Sequence, residues 1–182
     1  MRRSNFTNYT HAETLIYEFR NKYFVIEHCQ QGVELNPVHG TRQFPGEYCA
    51  LSASLPLDCS TDEMGQEVIK AIDDFDTRPP LFESWDRRAL GKALCGWLGA
   101  RGIPTLEKNC RIVQVVQYFE ENIFKIYPYD NNNLNPWHGR YEGREIVLPG
   151  SATPEQIGEA VIKAFSLSTY HPERKDPPAG SP

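Results

Sequence analysis

The chain carries one run of residue types twice, at an offset of 93 residues from Gly65 to Gly158. Leu55-Pro56 leads to Gly65-Gln66-Glu67-Val68-Ile69-Lys70-Ala71-Ile72, and Leu148-Pro149 leads to Gly158-Glu159-Ala160-Val161-Ile162-Lys163-Ala164-Phe165. The match runs back without a gap to Gly46 and Tyr48 against Gly139 and Tyr141. Two copies so far apart indicate a duplicated supersecondary unit rather than a solenoid, which needs three or more short repeats. A chain of 182 residues buries one good core and is short for two, so the copies belong to one domain.

Each copy reads as strands followed by a helix. Cys49, Leu51, Ala53 and Leu55 alternate with small residues at the period of a half-buried strand. Ser60 three residues before Glu63 makes a capping-box pattern. Met64, Val68, Ala71, Ile72 and Phe75 then form one apolar stripe, which Arg78-Pro79-Pro80 stops. In the second copy Thr153 is the N-cap, Pro154 the first helical residue and Gln156 the closing member of the box. Its hairpin is the clearer one: Cys110 to Phe119 runs out, Glu120-Glu121-Asn122 turns, and Ile123 to Tyr127 returns. Gly65 and Gly158 occupy equivalent places early in their helices, where Gly costs about 1 kcal/mol relative to Ala. Close packing of helix backbone on the sheet is the expected reason; no Gly-rich loop precedes either helix to make a phosphate site.

Between the copies, Glu83 to Leu98 patterns as an amphipathic helix bearing Trp85 and Trp97, and Pro104 starts a short helical turn through Lys108. The expected organisation is a flexible segment over residues 1–15, one domain over 16–170 with repeat halves at about 46–78 and 110–168, and a disordered tail over 171–182 rich in Pro, Gly and charge. The fold class is α+β, a mostly antiparallel sheet with packed helices built from a duplicated strand-strand-helix unit.

A net charge of −5 leaves no basic stripe of the kind that tracks phosphates. An acidic surface steers a basic partner by long-range attraction, and equally keeps a protein soluble. Five scattered cysteines without a CxxC pair give neither a zinc knuckle nor a redox motif, so free thiols in a reducing compartment are expected. The basic start lacks a following apolar stretch, and no run reaches the roughly 18 apolar residues of a membrane span. The expected location is the cytoplasm.

Catalytic constellations are not apparent. No histidine has the spacing of a metalloprotease helix, and Glu27-His28-Cys29 lie on a strand, where neighbours point to opposite faces. Asp73, Asp74 and Asp76 cluster at the end of the first repeat's helix, where negative charge is electrostatically unfavourable, and Glu120-Glu121 occupy the hairpin turn. A basic partner docking there and a merely solvated face both account for them. Trp137, in the Asn-rich loop from Asp130, is placed to be presented to a partner.

The order of these motifs resembles one family. Leu55-Pro56, the helix from Met64 to Ile72, the aromatic segment at Phe82 and Trp85, Gly102-Ile103-Pro104-Thr105-Leu106, the strand from Cys110 to Val116, Ile123 to Pro128 and the helix from Ile157 to Phe165 are similar in sequence order to the CdiI-type immunity proteins of contact-dependent growth inhibition. The first helix departs from that pattern at Asp73-Asp74-Phe75-Asp76. The resemblance implies a non-enzymatic protein without cofactor or metal. It would bind and neutralise the toxic C-terminal domain of an effector, a basic nuclease, with no direct contact to nucleic acid or membrane. Asp73, Asp74, Asp76, Glu120, Glu121 and Trp137 are the residues expected to meet that partner. An uncharacterised hydrolase using His28 or His138, and a nucleic-acid-binding module using Arg87, Arg88 and Lys92, stand as the alternatives.

Overall fold

The β-branched run that opens the second hairpin forms β6 (Arg111–Tyr118), and the chain returns as β7 (Ile123–Asp130) in the computed structural model. Asn122 takes the left-handed conformation that the turn between them needs, at φ 52. The structure describes residues 11–30, 34–35, 42–43, 47–74, 87–131, 139–141 and 143–174.

An earlier hairpin in the chain, β1 (His11–Phe19) and β2 (Lys22–Gln30), turns at Arg20 and Asn21, both with positive φ. Strand β5 (Glu47–Pro56) pairs with β2; β8 (Gly139–Arg140) and β9 (Ile146–Pro149) both pair with β7. The two hairpins join at the centre, where β1 runs antiparallel to β6, giving the order β5-β2-β1-β6-β7 with β8 and β9 along the far edge. Strands β3 (Glu34–Leu35) and β4 (Arg42–Gln43) make a separate two-residue pair. The sheet is antiparallel throughout its described pairs, and the domain is α+β.

The expectation that residues 1–15 are flexible fails from His11 onward, because residues 11–15 begin the central strand. Ala12, Glu13 and Thr14 are buried there. Two carboxylates and a threonine in a nine-residue strand disguise it, since a buried strand normally reads as an apolar run.

One face of the sheet carries α1 (Thr61–Asp73) and α4 (Pro154–Leu167). Met64, Val68, Ala71 and Ile72 of α1, and Ile157, Val161, Ala164 and Phe165 of α4, close over Ala12, Ile16, Val25, Val113, Val115 and Ile126. Ser60 caps α1 by accepting from the Glu63 amide, and Thr153 with Gln156 forms a complete capping box on α4. Gly65 and Gly158 serve the contact between these helices, not a contact with the sheet. A Cβ on Gly65 would meet the Pro154 backbone, and one on Gly158 the Thr61 backbone.

The opposite face carries α2 (Arg87–Leu98) and α3 (Ile103–Asn109). Leu94, Leu98 and Leu106 pack over Tyr17, Phe19, Phe24, Ile26 and Ile112, with Trp97 partly buried beside them. The strict alternation read along β5 breaks. The register slips between Val25 and Ile26, which pair with Ala53 and Leu51 and leave Ser52 as a bulge. Leu51 therefore joins the α2/α3 side, while Ala53 and Leu55 keep to the α1/α4 side.

Candidate functional site

Helices α2 and α3 cover one end of their face of the sheet. Strand pairing sets what stands on the other end: His11 opposite Tyr118, Glu13 opposite Val116, Val116 opposite Lys125, Gln114 opposite Tyr127, and Lys125 opposite Val147. Because side chains alternate along a strand, all of these share one face.

Gln114 is the hub. Its amide donates to Glu13 Oε2 at 2.5 Å, and its carbonyl oxygen accepts from the Tyr129 hydroxyl at 2.9 Å and from Arg140 Nε at 2.5 Å. Glu13, only 4% exposed, also has His11 Nε2 at 3.2 Å and Arg140 Nη2 at 3.6 Å from Oε1. A buried carboxylate is tolerated when cations and donors surround it in this way. The Arg140 guanidinium lies over the Tyr127 ring, and the Lys125 ammonium over the Tyr118 ring. The Tyr118 and Tyr127 hydroxyls stand 3.4 Å apart.

The titration behaviour follows from this packing. Burial pushes the Tyr127 phenol up, and its hydrogen bond with Tyr118 adds to the shift. Burial likewise raises Tyr129. Burial alone would lower the Arg140 guanidinium, but Tyr129 and Glu13 carry it upward, so it holds its charge. At the edge of the same face Val147 is 53% exposed, the one exposed large hydrophobic side chain among the described residues. The result is an amphipathic face of tyrosines, a stacked arginine and an uncovered valine.

A second buried carboxylate on β1, Glu18, closes the opposite end of the sheet on the α1/α4 side. It accepts from Arg111 Nε at 2.9 Å, from Arg111 Nη2 and from the Tyr170 hydroxyl. Arg111 also donates to the Phe165 carbonyl, which ties the end of α4 to the sheet.

The sequence candidates are divided by this architecture. Glu120 and Glu121 are exposed in the β6–β7 turn, directly beyond Tyr118, at the rim of the tyrosine face. Asp73 ends α1 and Asp74 is its C-cap, on the helix that packs against the other face. Asp76 and Trp137 lie outside the described residues, as do His138 and the side chain of His28. Sequence reading missed His11, Glu13, Gln114, Tyr127, Tyr129, Arg140 and Val147. The available signal was the polar Gln114 between Val113 and Val115, on a strand whose partner β1 lies far back along the chain, and the alternation of Lys125, Tyr127 and Tyr129 on β7. Among the described residues no cluster of His, Cys, Asp and Glu is arranged to hold a metal ion, and no helix is long and apolar enough to cross a membrane.

Among solved structures, the fold is similar to a protein of unknown function from Neisseria meningitidis, with a TM-score of 0.62 and 19% identity over 91% of this chain and 99% of that one. It is also similar to a chain of a CdiA-CT/CdiI toxin and immunity complex from Yersinia pseudotuberculosis, with a TM-score of 0.57 and 16% identity over 87% of this chain and 98% of that one. Among curated proteins, chorismate pyruvate-lyase of Proteus mirabilis (strain HI4320) is 32% identical over 85 residues, 46% of this chain. The chain spans about half the length of that relative, at 50%. The family model for CdiI, the CDI immunity protein, matches residues 47–168, from β5 through the whole of α4. With two-thirds of its length inside that match, the chain belongs to the CdiI family of CDI immunity proteins.

Proposed function

We propose that the chain binds the toxic C-terminal domain of a contact-dependent growth inhibition effector in the cytoplasm of the cell that makes it, and neutralises that domain by occupying its working surface. The observation that carries this reading is the family match over residues 47–168. The mode is stoichiometric occlusion, without catalysis and without a cofactor. A protein acting this way needs a stable scaffold and a complementary face, and the sheet with helices on both sides provides the first.

The toxin is a nuclease in this reading. A nuclease holds phosphates with a basic surface. A net charge of −5, with Asp73 and Asp74 at one end of α1, Asp76 close after them in sequence and Glu120 and Glu121 in an exposed turn, would meet such a surface favourably and speed association.

The test is titration of the purified protein with the toxin domain encoded directly upstream, at low and high salt, alongside growth of cells expressing that domain. Tight one-to-one binding that weakens with salt and restores growth is the expected result. Failure of that domain to bind, or binding that leaves it toxic, overturns the reading. Nuclease assays on the free domain decide the toxin's chemistry separately.

A further inference from the structure

The outer end of the tyrosine face has the makings of a contact surface, and its chemistry limits what fits. Tyr118 and Tyr127 are partly exposed, rigid rings whose hydroxyls touch, and Arg140 is stacked on Tyr127 with 37% of its side chain open to solvent. Tyrosine and arginine held in fixed positions lose little entropy on binding, which is why they dominate interface energies. Val147 adds an uncovered apolar surface beside Lys125. The cations here are engaged already, Lys125 over Tyr118 and Arg140 with Gln114, Glu13 and Tyr127. The carboxylates of Glu120 and Glu121, by contrast, stand exposed at the rim.

We infer that the toxin domain docks on this outer half of the sheet face, with Tyr118, Tyr127 and Val147 under an apolar part of the toxin and Glu120 and Glu121 against basic groups around it. The inference rests on the immunity reading and adds the surface to it. The occupant is a protein with a basic rim about an apolar centre. A strongly acidic protein would be repelled by the turn, and a free polyanion such as RNA would find no unengaged cation on the half-face described.

Two variants and one mapping experiment decide it, all with the upstream-encoded toxin domain as probe. Val147→Arg changes an exposed side chain, so its melting temperature should match the parent, while its affinity falls by about tenfold or more. Glu120→Lys/Glu121→Lys, in an exposed turn, should weaken binding and flatten its salt dependence. Hydrogen exchange on the parent complex, which needs no variant to fold, should show β9 and the β6–β7 turn protected by the toxin. Unchanged affinity in both variants, or protection confined to the end of α1 at Asp73 and Asp74, overturns the docking face and leaves the immunity reading standing. A parent protein that does not bind at all overturns the immunity reading and this inference with it.

Discussion

Gly65 of α1 and Gly158 of α4 each lie against the first residue of the other's helix. A Cβ on Gly65 would stand 1.7 Å from the Pro154 carbonyl oxygen, and one on Gly158 would stand 1.8 Å from that of Thr61. The obstacle in both cases is backbone, which cannot swing aside as a flexible side chain can. Gly→Ala inside a helix ordinarily stabilises by up to about 1 kcal/mol. Here Gly65→Ala or Gly158→Ala forces the helices apart and should destabilise by a net ~2 kcal/mol or more, read as a lower urea midpoint. The double variant should lose less than the sum, because the first substitution has already opened the contact. A stabilised single variant would show that the helices do not approach so closely.

Gln114 should be intolerant of change despite being uncharged. Gln114→Leu removes the amide donor from Glu13 Oε2 and strands the Tyr129 hydroxyl, at a cost of about 2–4 kcal/mol. Gln114→Glu retains the size but sets a second carboxylate against Glu13, raising the pKa of the pair. That group titrates higher folded than unfolded, so the variant should be weakest at neutral pH and regain stability as pH falls through the raised folded pKa toward the unfolded carboxylate range. Urea midpoints at pH 7 and pH 5 check the sign; a larger loss at the lower pH would contradict it.

Glu18 and Arg111 join β1 to the start of β6 and, through Phe165 and Tyr170, to the end of α4. Glu18→Leu leaves a mostly buried guanidinium unpaired and should cost ~3 kcal/mol. Adding Arg111→Met removes the orphaned charge and should restore more than half of the loss. Calorimetric melting of the single and double variants makes the comparison, and a double variant less stable than the single one would argue that the pair itself stabilises the fold.

The protein should lose stability in alkali. Burial pushes the Cys110 thiol well above its ordinary value of 9.0, and burial with the Glu18 charge pushes the Tyr23 phenol from 10.0 up to about 12. Above pH 9 the unfolded chain releases the Cys110 proton while the folded one keeps it. From pH 10 to about 12 the same holds for Tyr23. The unfolded state then binds fewer protons, so stability falls with rising pH. Cys110→Ala should flatten the curve from pH 9, and Tyr23→Phe from pH 10. A parent whose urea midpoint is constant from pH 8 to pH 11 would exclude buried, protonated groups at both positions.

What could be read from the sequence was what local chemistry decides. Thr153-Pro154-Glu155-Gln156 starts a helix by satisfying its own first amides, and the turn at Glu120-Glu121-Asn122 needs only its neighbours. Strand β1 was hidden because Glu13 and Glu18 are acceptable in the interior through partners distant in sequence, among them Gln114 and Arg111, 101 and 93 residues away. The bulge at Ser52 depends on how β5 meets β2, so the face of Leu51 was out of reach of any count along β5. The same limit applied to the tyrosine face. Glu120 and Glu121 were visible as charges, but the tyrosines beside them become a surface only when β1, β6, β7 and β9 lie side by side.

The place of β1 at the centre of the sheet has a consequence for the chain as it is made. Once β1 and β2 have emerged and paired, the other edge of β1 stays bare until β6 is synthesised, Arg111 being 93 residues after the Glu18 it joins. A half-finished sheet with an open edge strand is a template for pairing with other chains. The carboxylates of Glu13 and Glu18, awkward in the finished core, would leave that nascent edge charged, as charges on an edge strand oppose pairing with other chains.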